Sequence, residues 1–315
     1  MTRRMELRWG ATTHLGRVRQ GNEDAFMACP NLFVVADGMG GHNAGEVASA
    51  IAVATLSSGA RDGVSSPSDL GLLIRGANAA IYAASSANQD QRGMGTTITA
   101  LARVNTADSE NGDRFEVVIA NVGDSRTYMM RDHELSRITL DHSYVQALVN
   151  EGFISQSEAR THPRRNIVTR ALGIEAEVDV DITIVEVRHG DRFVLCSDGL
   201  VDEADDEEIT TVLYSHETAQ MAAEDLVTLA NDHGGRDNTT VIVVDVVIYD
   251  ETPAGGVPVI EPMSNVDEAL NPEGDSTDTV IADTAKPRVR FSVARVAIAV
   301  GIVAAVSVLA VLIFG

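Results

Sequence analysis

Apolar positions recur with two different periods from Met1 to about Asp250, and the two kinds of stretch alternate along the chain. Runs rich in β-branched residues predict strands at 32–37 (LFVVAD), 96–104 (TTITALARV), 115–123 (FEVVIANVG), 181–187 (DITIVEV), 191–198 (DRFVLCSD) and 238–247 (NTTVIVVDVV). Stretches in which apolar residues return every three or four positions predict helices at 45–56, 69–87, 143–152, 206–215 and 217–233. Strands and helices interleaved in this way predict one α/β or α+β domain over residues 1–250.

The pattern then breaks. Residues 251–287 are dominated by Pro, Gly, Asp, Glu, Ser and Thr, a composition that buries too little apolar surface to order itself, and they read as an acidic linker. Residues 288–315 read as a basic flank and a transmembrane helix, because Val296 to Phe314 carries no charge and is long enough to cross a bilayer core. Lys286, Arg288, Arg290 and Arg295 precede the span, and the positive-inside tendency then predicts a single-pass membrane protein whose large domain faces the cytoplasm.

Composition narrows the function classes. A formal charge of -22 argues against a nucleic-acid binder, since phosphate backbones are held by Lys and Arg. Cys29 and Cys196 are the only cysteines, so neither a disulfide framework nor a zinc-binding cysteine cluster is expected, and a reducing compartment fits best. The N-terminal MTRRMELRWG has basic residues with no apolar run behind them, unlike a secretory signal.

Five short segments place polar groups at strand ends or turns: GRVRQGNED (16–24), VVADGMGGH (34–42), VGDSR (122–126), LCSDGL (195–200) and GGRDNTT (234–240). A dinucleotide fingerprint after the strand at 32–37 fails, because Asn43 stands where the third glycine would follow Gly38 and Gly40. Any one Asp-Gly pair is an ordinary turn that needs no ligand. Asp37, Asp198 and Asp237, each at the edge of an apolar run, are poorly explained by three independent turns. Hard divalent cations take oxygen ligands, and aspartate at a strand end offers two with little side-chain freedom to lose. Glycine beside it admits a close backbone or a phosphate, so Asp37 is suited to bridge two ions and Gly38 to supply room or a carbonyl. Cys196 does not read as a phosphatase nucleophile, since Asp202 occupies the place of the phosphate-cradling arginine six residues on.

The ordered set VRQGNED, DGMGG, GMGTT, VGDSR, SDGL and RDNTT resembles the metal-dependent type 2C serine/threonine protein phosphatase family in its bacterial form, over roughly Leu7 to Val247. Residues 141–173 are similar to the flap of bacterial members, and an anchor after an acidic linker resembles actinobacterial phosphatases that oppose receptor-like kinases. The resemblance implies an α+β fold, a four-layer α-β-β-α sandwich of two antiparallel sheets flanked by helices. It implies Mn2+ or Mg2+ as cofactor, with two core ions and a third in bacterial members, and phosphorylated proteins and Ser/Thr kinases as partners. By resemblance Asp37 bridges the core ions, Asp198 and Asp237 complete the first, and Gly38 and Glu23 serve the second. Asp124 is implied to share a third ion with Asp198, Arg19 to grip the substrate phosphate, and Asp24 and Asn238 to stand just behind the ions. Two ions about 4 Å apart can share a hydroxide and aim it at phosphorus. Arg19 and Asp37 are accordingly the catalytic candidates.

One departure is visible. Animal members carry a histidine after Asp-Gly as a candidate general acid, whereas this chain has Met39, and His42 reads as structural. The alternative function is a pseudophosphatase or regulatory module that keeps the fold without turnover, and the completeness of the ligand set argues for the enzyme.

Overall fold

The apolar run at 32–37 becomes an inner strand whose two faces meet different layers. In β3 (Leu32–Met39), Leu32, Val34 and Ala36 face helices, while Phe33 and Val35 face a second sheet. A strand covered on both faces carries no polar alternation, which is why it reads as a continuous apolar run. The computed structural model describes residues 2–40, 44–61, 63–104 and 114–251.

Among these residues one sheet has the order β1 (Thr2–His14), β11 (Thr239–Glu251), β10 (Arg192–Cys196), β7 (Arg126–Arg131) and β8 (Glu134–Arg137). The other runs β2 (Asp24–Cys29), β3, β5 (Ile98–Arg103), β6 (Phe115–Val122) and β9 (Asp181–Val187), with the two-residue β4 (Gly95–Thr96) pairing the end of β3. Every ladder is antiparallel. Phe33, Leu101, Ile119, Phe193, Leu195, Ile242 and Val244 interdigitate between the sheets. Helices α1 (Ala44–Gly59) and α2 (Pro67–Ala87) cover the outer face of the β3 sheet. Helices α5 (Asp198–Val201), α6 (Asp206–Ser215) and α7 (Ala219–Asp232) cover the other. The expected α-β-β-α sandwich is therefore present.

Helix starts follow local chemistry. Ser66 accepts from the Asp69 amide with Pro67 in the first turn, so α2 begins two residues before its apolar periodicity does. Asp205 and Glu208 form a reciprocal capping box that fixes the start of α6.

Four strands and two short helices were not visible in the pattern. β1 is an edge strand in which Met5, Leu7 and Gly10 are buried among exposed charged residues, and it pairs with β11 over its full length. The β7–β8 hairpin turns on Asp132 and His133, both left-handed at φ 51° and 68°. β2 is half-buried throughout. The run at 191–198 stops as a strand at Cys196, and Asp198 instead opens α5. The helix expected at 143–152 is present as α3 (Tyr144–Asn150), and α4 (Gln156–Thr161) follows it behind a Ser155/Glu158 capping box. Among the described residues no helix is long and apolar enough to cross a membrane. Glu251, the first residue of the expected linker, instead ends β11, and residues 252–287, the span at 288–315 and His42 lie outside the described residues.

Candidate active site

The antiparallel pairing of β2 and β3 sets Asp24 directly opposite Asp37. Just beyond, the backbone is crowded in a way only glycine allows. A Cβ on Gly38 would stand 2.2 Å from the Gly45 carbonyl oxygen at the start of α1, and one on Gly199 would stand 2.0 Å from the Asn238 carbonyl oxygen. The bare backbone of each Asp-Gly pair thus lets the segment carrying one carboxylate press against another. The carboxyl carbon of Glu23 lies 2.9 Å from where a Gly45 Cβ would be, which puts Glu23 beside Gly38.

The carboxylates gathered here repel one another. Burial holds Asp37 well above the usual carboxylate range, and the neighbouring charges of Asp24, Asp198, Asp124 and Asp237 add to it. Asp198 is raised likewise by burial and by Asp124, Asp202, Asp237 and Asp24. Asp37 and Asp198 nonetheless keep partial solvent access, so they form the floor of an open cleft rather than a sealed interior. Burial, reinforced by Asp141, pushes Asp124 up to about 7. Asp24 is pushed by burial up to about 6, against the hydrogen bonds that its Oδ2 accepts from Ser197 Oγ at 2.8 Å and Thr240 Oγ1 at 2.7 Å. Its other oxygen, Oδ1, is buried with no hydrogen-bond partner.

An orphaned carboxylate oxygen amid mutually repelling carboxylates fits a hard divalent cation, which would remove both penalties. Among the described residues no group of three or more acidic, His or Cys side chains is already placed to hold a metal ion. Magnesium and manganese take few protein ligands and complete their shells with water and phosphate oxygens.

Arg19 stands in the same cleft, half-exposed, donating from Nη2 to Asp237 Oδ2 at 2.6 Å. Arg17, two residues away, turns instead to the surface and pairs with Asp232 at 2.6 Å. Asn238 does more than line the edge. Its Oδ1 accepts from the Glu23 amide at 2.8 Å and its Nδ2 donates to the Leu15 and Gly21 carbonyls at 2.9 and 3.0 Å, tying the 15–23 loop to the loop of Asp237. Glu203, which sequence reading passed over, accepts from the amide, Nε and Nη2 of Arg236 and so fastens the turn after α5 to the residue before Asp237.

The region expected as a flap encloses a cavity of about 270 Å³ beside Asp124 and Asp198, with Asp202, Arg126, Arg160 and Arg165 also in its lining. Arg160 on α4 donates to the Val201 and Ala204 carbonyls, and Arg165 lies 3.5 Å from Asp202. The structure therefore brings Arg19, Glu23, Asp24, Asp37, Gly38, Asp124, Asp198, Asp237 and Asn238 to one end of the sandwich. Sequence reading missed the place of Asp202 in the site, which lies outside the quoted motifs, and the hydroxyls of Ser197 and Thr240, whose only signal was their position inside them.

A four-layer sandwich with a cation-suited acidic cleft and an arginine at its mouth defines the class. The chain belongs to the protein phosphatase 2C family, whose model matches residues 14–231. It is 44% identical over 246 residues to the serine/threonine protein phosphatase PstP of Mycobacterium tuberculosis, covering 78% of this chain but only 46% of that protein. The chain thus spans about half the length of that relative. It is 39% identical over 244 residues to the serine/threonine phosphatase stp of Listeria monocytogenes, covering 74% of this chain and 93% of the relative. Among solved structures, the PstP catalytic domain in complex with two manganese ions superposes with a TM-score of 0.70 at 40% identity, covering 78% of this chain and all of that one. The phosphatase MsPP of Mycobacterium smegmatis in complex with cacodylate superposes with a TM-score of 0.67 at 36% identity, covering 75% and 97%.

Proposed function

We propose that this chain is a manganese- or magnesium-dependent phosphatase of phosphoserine and phosphothreonine in proteins. The observation that carries the reading is the convergence of Asp37, Asp198, Asp124 and Asp237 into mutual repulsion beside Arg19. Asp37, Asp198, Asp237, Gly38 and Glu23 would hold the core ions, and Asp124 with Asp198 a third. The bound ions supply charge neutralisation at the phosphoryl oxygens and a water nucleophile at neutral pH.

The side chains divide the remaining work. Arg19 offers a planar fork to the phosphate once it leaves Asp237, and a guanidinium suits that geometry better than an ammonium. Asp24, held by Ser197 and Thr240 on one oxygen, would have its other oxygen, buried without a hydrogen-bond partner, to offer to the bound ions or their waters. Asn238 keeps Arg19 and Glu23 in place relative to Asp237 through its three hydrogen bonds. The intact set of carboxylates supports turnover over a binding module that has lost it. Manganese bound to the solved PstP domain supports the choice of ion.

Residues 1–250 would form the catalytic domain, 251–287 the linker and 288–315 the membrane anchor, with the catalytic domain on the cytoplasmic side opposing Ser/Thr kinases. The decisive experiment measures phosphate release from a phosphothreonine peptide with manganese and with chelator, for the wild type and Asp37→Asn. Metal-dependent release by the wild type and none by Asp37→Asn supports the reading. Equal rates with and without manganese, or full activity of Asp37→Asn, would overturn it. Fractionation tests the anchor: full-length protein in the membrane pellet is expected, and recovery in the soluble fraction without detergent rejects it.

A further inference from the structure

Between the sheets the packing changes chemistry toward the end that carries Asp37. In the middle of the sandwich the facing side chains are apolar. At the β5–β7 contact they become hydroxyls: Thr99 Oγ1 and Thr127 Oγ1 are 2.7 Å apart, and nearer the carboxylates Thr97 Oγ1 and Ser125 Oγ are also 2.7 Å apart. All four residues are fully buried, and an apolar pair would fill such space at similar net stability. What a hydroxyl pair adds is direction.

Thr97 is bound to the backbone of Asp37 at both ends. Its amide donates to the Asp37 carbonyl at 2.8 Å, and its Oγ1 accepts from the Asp37 amide at 3.1 Å. Ser125 is the neighbour of Asp124. Just before them Gly123 adopts φ 108°, and a Cβ there would stand 2.6 Å from Thr97 Cβ, so the 123–125 loop lies directly on the Thr97 side chain. One hydroxyl contact thus joins the backbone of Asp37 to the loop of Asp124, two acidic residues on different strand ends.

We propose that the Thr97–Ser125 hydroxyl pair is a positioning device that holds Asp124 in register with Asp37, and so sets the affinity of the peripheral ion position relative to the core. This rests on the reading above that Asp124 contributes to an ion site. Neither Thr97 nor Ser125 touches an ion or substrate in this role; each acts through the aspartate its loop carries.

The test is calorimetric titration of the full chain with manganese alone, in wild type, Asp124→Ala, Ser125→Ala, the Ser125→Ala/Asp124→Ala double variant, Thr97→Val and Thr97→Ser. Asp124→Ala is expected to abolish the weaker binding event and keep the tighter one. Ser125→Ala should weaken the weaker event about tenfold or more while the tighter one holds, as outer supports of metal ligands commonly do. In the double variant it should change nothing further, because it acts only through Asp124. Thr97→Ser, which keeps the hydroxyl, should bind as wild type does, and Thr97→Val should follow Ser125→Ala; if Thr97→Val does not fold, the Ser125→Ala arm decides. Ser125→Ala binding as wild type, or weakening both events equally, overturns the inference and leaves the function reading standing. An Asp124→Ala isotherm identical to wild type overturns the ion role of Asp124 and the inference with it.

Discussion

Replacing Asn238 with alanine should be among the most damaging single polar changes in this domain, although no charge is lost. The side chain is 4% exposed and makes three hydrogen bonds, to the Glu23 amide and to the Leu15 and Gly21 carbonyls. Each is worth about 1 kcal/mol net, and truncation also leaves the three backbone partners in a partly buried cleft, so about 3 kcal/mol is the expected loss. For a domain of this size that corresponds to a fall in melting temperature of about 6–12 °C. Asn238→Asp sharpens the logic. It keeps the oxygen that accepts from Glu23, but it sets a second oxygen against two carbonyls, so it should be no better than alanine despite its near-identical shape. Thermal unfolding by circular dichroism with chelator present measures both variants without contribution from bound ions. Because the same bonds hold the Arg19 and Glu23 loop against Asp237, manganese affinity should fall in parallel with stability. A midpoint within about 2 °C of wild type for both variants would refute the view that Asn238 fastens the two loops together.

Arg19→Ala should raise KM for a phosphopeptide about 10- to 100-fold, the worth of a charge-assisted bond, with a smaller effect on kcat; a variant with unchanged KM would remove Arg19 from phosphate binding. In chelator, stability should decline as pH rises. Asp24 is pushed to about 6 and Asp124 to about 7, both chiefly by burial, and a carboxyl raised in the folded state favours folding below its unfolded pKa and loses that contribution as pH climbs to the folded one. The window is therefore about pH 4 to 7. The lowered His142, depressed mainly by burial, opposes this on the acid side of its own range, so the clean measurement is wild type against Asp124→Asn: the variant should gain on wild type between pH 5 and 7.5. A constant difference across that range would contradict the raised Asp124. Phe33→Ala, in the fully buried layer between the sheets and edge-on to Trp9 at 5.5 Å, should cost about 3–5 kcal/mol in urea unfolding, and a loss under about 1 kcal/mol would contradict that packing.

The sequence by itself determined the inner strands, the long helices and the acidic strand ends. β3, β5, β6, β10 and β11 are covered on both faces, so their apolar runs need no tertiary knowledge to read. The Asp-Gly pairs at 37–38 and 198–199 announced close backbone approach, because glycine is demanded wherever another chain segment comes within a Cβ's reach. What approached them was not legible. Gly38 meets the start of α1 and Gly199 meets the Asn238 carbonyl, contacts that depend on how layers stack.

The edge strands β1 and β8 and the half-buried β2 escaped notice for a related reason. A strand open on one face carries charges among few apolar residues, and only its neighbour in the sheet reveals it, as β11 does for β1 across thirteen residues. Asp24 and Asn238 were named from the sequence, but the partners that hold them were wholly a matter of tertiary structure. Asp24 with Ser197 and Thr240, Asn238 with Leu15 and Gly21, and Thr97 with Ser125 join residues from 28 to 223 positions apart. Local periodicity records which face of an element is buried, and it carries no information on which distant polar group will satisfy a buried hydroxyl or amide. That pairing exists only once two sheets have closed on each other.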